Sequence, residues 1–164
     1  MMVQTPRNQT ETLATLLKTK GLKVATAESC TGGGIAKVLT DLAGSSDWFE
    51  CGFVTYSNES KQSMLGVDAN TLSQWGAVSE AVVKEMAEGV LARSYARLAV
   101  AVSGVAGPGG GSPGKPVGTV WVAWALQEQG VTAECFHFQG DRDAVRCQTI
   151  EAAIEGLMRL ASAV

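Results

Sequence analysis

The chain has 164 residues, enough for one compact domain that buries roughly 70% of the surface its unfolded form would expose. Hydrophobic residues make up 46% and charged residues 18%, a globular balance that excludes a disordered chain. A net charge of −3 leaves no broad basic face for nucleic acid, and no apolar run reaches the roughly 20 residues that span a bilayer.

Residues 1–9 are polar, lack the apolar core of a signal segment, and read as an extension of a single domain over residues 1–164. Residues 10–20 carry Leu13, Leu16 and Leu17 at helical spacing, and Gly21 ends that helix. Residues 22–27 form a short β-favouring run. Residues 31–42 follow as a helix entered through Ser29 and the glycines after it. Residues 51–56 alternate as a strand does, and Ser57-Asn58-Glu59 opens the next helix, continued to Leu65. Ser79 and Glu80 open a helix to about Ala92, with Val82, Val83, Met86 and Val90 on one face. Residues 98–102 are all apolar, as in a strand buried on both faces. A loop rich in glycine and proline covers 104–116. Residues 118–126 and 131–138 form a hairpin, and residues 141–163 a closing helix. Early alternation of helix and strand, then a hairpin, predicts an α/β fold: a three-layer α/β/α sandwich on a mixed sheet.

Cys30, Cys51, Cys135 and Cys147 form no C-x-x-C pair, and His137 is the sole histidine. A metal site is not expected, and reduced thiols place the chain in the cytoplasm. His137, between Phe136 and Phe138, is expected on the strand face opposite both rings.

Chemistry could sit in three places. At Glu28-Ser29-Cys30-Thr31-Gly32-Gly33-Gly34 a buried strand turns into a helix. Ser29 there could attack a carbonyl whose oxyanion meets the amides of Gly32, Gly33 and Gly34; alternatively, Ser29 or Thr31 only caps the helix. The sequence is not G-x-S-x-G, so a nucleophile elbow of that type is not indicated. At Tyr56-Ser57-Asn58-Glu59-Ser60-Lys61, a lysine could replace histidine as base if burial favours its neutral form. On the sequence alone, Lys61 reads as a solvated surface residue, unless the fold brings it beside Ser29. In the third stretch, Gly109 to Lys115 fits the Walker A spacing, but Pro116 stands where Ser or Thr should hold Mg²⁺ and a strand follows. Its glycines form either backbone nests for an anion or a flexible connection. Arg142, after Asp141 in the first turn of the last helix, opposes the helix dipole unless an anion binds there.

Taken together, Ala27-Glu28-Ser29-Cys30-Thr31-Gly32-Gly33, Gly52-Phe53-Val54-Thr55-Tyr56-Ser57-Asn58-Glu59 with Lys61, Leu65-Gly66-Val67, Gly76-Ala77-Val78-Ser79-Glu80, Ser103-Gly104-Val105-Ala106-Gly107-Pro108, Lys115-Pro116-Val117-Gly118-Thr119-Val120 and Gly140-Asp141-Arg142 resemble the CinA carboxy-terminal domain family. Ser103-Gly104-Val105 stands where many members have Thr-Gly-Ile, and Cys51 where a basic or small residue is usual. The resemblance implies hydrolysis of the carboxamide of nicotinamide mononucleotide to nicotinate mononucleotide and ammonia, in pyridine nucleotide recycling, without metal or cofactor. It implies Ser29 as nucleophile, Lys61 as base and Tyr56 as an assisting hydroxyl. The expected substrate contacts are Thr31, Gly32, Gly33, Gly34, Ser103, Gly104, Gly107, Gly110 and Arg142. A homo-oligomer, with a dimer favoured, is expected, and no nucleic-acid or membrane partner. Two rivals stand beside this reading: a non-catalytic pyridine-nucleotide sensor, and a thiol enzyme using Cys30.

Overall fold

The computed structural model describes residues 6–164. In chain order its elements are α1 (Pro6–Lys20), β1 (Val24–Glu28), α2 (Gly34–Thr40), β2 (Phe49–Val54), α3 (Asn58–Leu65), α4 (Ala69–Trp75), α5 (Glu80–Ala92), β3 (Leu98–Gly104), β4 (Thr119–Leu126), β5 (Gly130–His137) and α6 (Arg142–Ser162). The five strands form one sheet in the order β2-β1-β3-β4-β5. β1 runs parallel to both neighbours, and β3, β4 and β5 are antiparallel, so the sheet is mixed as expected.

The polar extension read over residues 1–9 needs correcting at its end. Proline tolerates the first turn of a helix because its missing N–H has no partner there, and α1 starts at Pro6. Residues 1–5 lie outside the described residues. Lys20 closes α1 and reaches across to α6, donating to the carbonyls of Ala161, Ser162 and Val164 at 2.6, 3.2 and 2.9 Å. It thereby adds a side-chain donor to carbonyls at the end of α6, where intrahelical partners run out.

Strand alternation divides the interior in two. Val24, Leu98, Val100, Val102, Val120, Val122 and Trp124 face the layer of α1, α2 and α6. Ala25, Ala27, Ala99, Ala101, Ala123 and Ala125 face α5, with α3 and α4 packed on α5. Small residues on the second face let α5 lie close, and its Val82, Val83, Met86 and Val90 fill the space. β3, in the middle of the sheet, is buried on both sides. No described helix is long and apolar enough to cross a membrane.

Candidate active site

The chain leaves β1 for β2 on one side and returns to β3 on the other, so the strand order switches at β1. Open α/β sheets bind ligands at the carboxyl ends of their strands at such a point. Ser29 stands there, its N–H donating to the Val102 carbonyl of β3 at 3.1 Å. Since Glu28 pairs with Val102, Ser103 lies level with Ser29 at the same end of the sheet.

Lys61 enters this point from the first turn of α3, whose N-cap Ser57 accepts from the Ser60 amide. Its Nζ lies 3.0 Å from Ser29 Oγ, and it donates to the carbonyls of Thr55 at 2.8 Å and Tyr56 at 3.3 Å. Lys61 is 1% exposed and Ser29 7% exposed. The surface-lysine reading of Lys61 is therefore excluded. Burial lowers the Lys61 pKa from the ordinary 10.5, while a Cys30 thiolate would pull the other way. An amine in this position can hold two carbonyls and still face the serine hydroxyl with its lone pair.

The turn after Ser29 differs from the expectation in an instructive way. Helix α2 begins at Gly34, not at residue 31, and its N-cap is Gly33, with φ 98° and no side-chain cap bond. Neither Ser29 nor Thr31 caps it. Its leading amides are already satisfied. Gly34 donates to the Thr31 carbonyl, Ile35 and Ala36 to the Glu28 carboxylate, and Lys37 to the Gly33 carbonyl. The Gly32 amide is likewise committed, to the Ser29 carbonyl at 3.0 Å. Among the described residues, the amides of Cys30, Thr31 and Gly33 donate to no backbone acceptor, and Thr31 itself is buried. The Thr31 hydroxyl is buried against Glu28 Oε1, so it faces inward rather than toward a ligand.

Tyr56 lies two residues past β2 rather than at its end. Its phenol is exposed and accepts from Arg142 Nη2 at 3.4 Å, whereas its carbonyl meets Lys61. Arg142 begins α6 behind the N-cap Asp141 and donates through Nη1 to the Gly107 carbonyl at 2.9 Å. It forms no ion pair among the described residues. Tyr56, Gly107 and Arg142 thus meet at one rim, beside a cleft of about 440 Å³ between Pro108, Val117 and the start of α6. Gly104 closes β3 where a Cβ would stand 2.9 Å from the Thr119 carbonyl, so its glycine serves close pairing with β4. Gly110 sits on the exposed part of the loop.

Two residues next to the site carried no role in the sequence reading. Glu28 was legible as a charged residue ending a strand that is otherwise buried and mostly apolar. Arg146, one helical turn after Arg142, donates to the Thr31 carbonyl at 3.1 Å, and its Nε is buried without a partner. No sequence signal set it apart from any helical arginine.

The thiol rival finds little support. Burial pushes the Cys30 thiol up to about 11, with its own backbone amide pulling the other way, so it is not a ready thiolate. His137 is exposed on the face opposite the stacked pair Phe136 and Phe138, as the alternation required. Among the described residues, no group of three or more His, Cys, Asp and Glu side chains gathers as a metal site.

A sheet whose strand order switches at a buried serine–lysine pair defines an α/β domain equipped for nucleophilic chemistry. Residues 7–161 match the model of the CinA C-terminal domain, and the chain belongs to that family. It is 58% identical over 149 residues to the nicotinamide-nucleotide amidohydrolase PncC of Escherichia coli strain K12, covering 90% of this chain and 89% of that protein. With the PncC of Pseudomonas putida, identity is 59% over 138 residues, covering 84% of this chain and 86% of that one. The crystal structure of the competence/damage inducible protein CihA from Agrobacterium tumefaciens superposes with a TM-score of 0.93 at 44% identity, over 98% of this chain and 99% of that one.

Proposed function

We infer that this chain is a nicotinamide mononucleotide amidohydrolase that uses Ser29 as nucleophile and Lys61 as base. The observation that carries the reading is the buried approach of Lys61 Nζ to Ser29 Oγ at 3.0 Å. The PncC relatives support the substrate. Neutral Lys61 takes the hydroxyl proton as Ser29 Oγ bonds to the carboxamide carbon. The developing oxyanion is met by the amides of Thr31 and Gly33. Collapse breaks the C–N bond, and ammonia departs with the proton held on Lys61. Water then attacks the acyl-serine, again giving its proton to Lys61, and nicotinate mononucleotide leaves with Ser29 restored.

Tyr56 assists at the rim, where its phenol and Arg142 face the incoming nucleotide. Arg142 is the phosphate contact, helped by the amide-rich start of α6. Ser103 and the backbone of Gly104, Gly107 and Gly110 line the approach. Residues 1–164 act as a single domain in the cytoplasm, without nucleic-acid partner, as a homo-oligomer with a dimer favoured. Sedimentation equilibrium measures that last point.

The test is direct. Purified protein is incubated with nicotinamide mononucleotide and, separately, with nicotinamide, and ammonia is assayed. The mononucleotide alone should be deamidated. Ser29→Ala should abolish turnover yet still bind the mononucleotide, and Cys30→Ala should keep substantial activity. Near wild-type turnover by Ser29→Ala would remove the serine mechanism.

A further inference from the structure

Glu28 ends β1 directly before Ser29, and its side chain is fully buried. It forms no ion pair among the described residues. A buried carboxylate persists only where hydrogen bonds replace water. Glu28 accepts three. Thr31 Oγ1 donates to Oε1 at 2.5 Å, the Ile35 amide to Oε1 at 2.8 Å, and the Ala36 amide to Oε2 at 3.1 Å. The last two are leading amides of α2, whose partial positive charge favours an anion.

The placement is unusual for a helix cap. Gly33, the N-cap, offers no side chain, and the acceptor comes instead from the strand before the turn. The carboxylate passes beneath the turn and ties three pieces together: the end of β1, Thr31 in the middle, and the start of α2. Ser29 lies within that loop of contacts. Its N–H is held by the Val102 carbonyl and its own carbonyl by the Gly32 amide. Arg146 secures the Thr31 carbonyl from α6. We propose that Glu28 is a positioning residue for the reaction, its carboxylate fixing the turn that keeps Ser29 Oγ within reach of Lys61. The proposal rests on the reading of Ser29 as nucleophile.

Every contact Glu28 makes requires an acceptor. In Glu28→Gln one acceptor becomes an NH₂, which must face either the Ala36 amide or the pair of donors at Oε1. The turn then shifts, and a misplacement of order 1 Å costs about 100-fold in rate. Binding of the mononucleotide is not served by Glu28, so KM should barely change. The experiment measures kcat, KM, the pH profile of kcat/KM and the thermal midpoint of Glu28→Gln, Thr31→Val and Ser29→Ala. The expected result for a folded Glu28→Gln is a fall of about 100-fold in kcat at little-changed KM, with the acid limb of the profile unmoved because Lys61 is intact. Thr31→Val, which removes one donor from Oε1, should lower kcat in the same sense by about 10-fold. A folded Glu28→Gln enzyme with near wild-type kcat, or one whose defect lies in KM, overturns the proposal. Should Glu28→Gln not fold, Thr31→Val decides on the same two criteria. Retained activity in Ser29→Ala strikes the nucleophile reading instead, independently of the Glu28 result.

Discussion

Lys61 sits where its charged form is least welcome. Two carbonyls and a hydroxyl surround its Nζ, none of them a carboxylate, and burial lowers its pKa below 10.5. Two consequences have a definite sign. A base must be unprotonated, so kcat/KM should rise with pH through the lowered Lys61 pKa. Lys61→Arg keeps its charge and cannot accept the proton, so it should be nearly as damaging as Lys61→Ala, each losing about 10²–10⁴-fold in kcat. Rates of both variants across pH 6 to about 9 test this, and a Lys61→Arg enzyme with most of its wild-type rate would remove Lys61 as the base. The second consequence is stability. Below the lowered folded pKa, native and unfolded chains both hold the proton, and the native state carries a buried charge. Between that pKa and 10.5 the unfolded chain binds the extra proton, so stability rises with pH in that window. Urea midpoints of wild type should therefore climb there relative to Lys61→Met. The pairing of Ser29 with Lys61 was legible from residue types and family resemblance, while spacing by itself says nothing of it. They are 32 positions apart, and only the parallel register of β1 and β2 brings them together.

At the scale of elements, legibility follows how much apolar face each one buries. α5 buries Val82, Val83, Met86 and Val90 at helical spacing, and its predicted start and end hold. α4 has only Leu72 buried, so its seven residues carry no apolar period that would mark a helix, despite the Asp68 N-cap and Gly76 at its end. The long helix α6 joins both regimes. Its Gly156 lies against Trp124 of β4, where a Cβ would collide with the indole ring, and Trp124 Nε1 donates to the Ala153 carbonyl at 2.9 Å. Gly156→Ala should therefore destabilise by about 1–3 kcal/mol through overpacking, read from urea unfolding. The start of α6 is where the proposed phosphate contact sits. Its Arg142 gives its donors to a carbonyl and a phenol, so the positive charge has no anionic partner among the described residues. Arg142→Ala should weaken use of the mononucleotide by about 10- to 150-fold and hardly alter use of the riboside. Equal loss on both substrates, in parallel kcat/KM measurements, would assign Arg142 to structure.

At the scale of the molecule, one sheet serves two interiors. The Val/Leu/Trp face packs on α1 and α6, and the alanine face packs on α5, so neither helix layer has a core without the strands they share. The first and last described helices are also joined, because α1 lies on α6 and Lys20 holds the last carbonyls of that helix. The layered architecture was legible because the run at 98–102 has no polar residue and the segments around it alternate helix with strand. The asymmetry of the two faces was not, since it emerges only when alternating positions of β1, β3 and β4 are aligned. Such a structure should lose both layers together. Trp48 is buried in the first interior and Trp121 packs against the second, so each can report its own layer. Two variants, each retaining one of these tryptophans with the other indoles replaced by Phe, should give urea fluorescence transitions that coincide with their own far-ultraviolet circular dichroism. The m value should lie at about 1–3 kcal/mol/M. A Trp121 transition that precedes loss of helix would show that the α5 layer, which carries α3 and Lys61 against the sheet, opens on its own, and the serine–lysine contact would then be lost before the fold is.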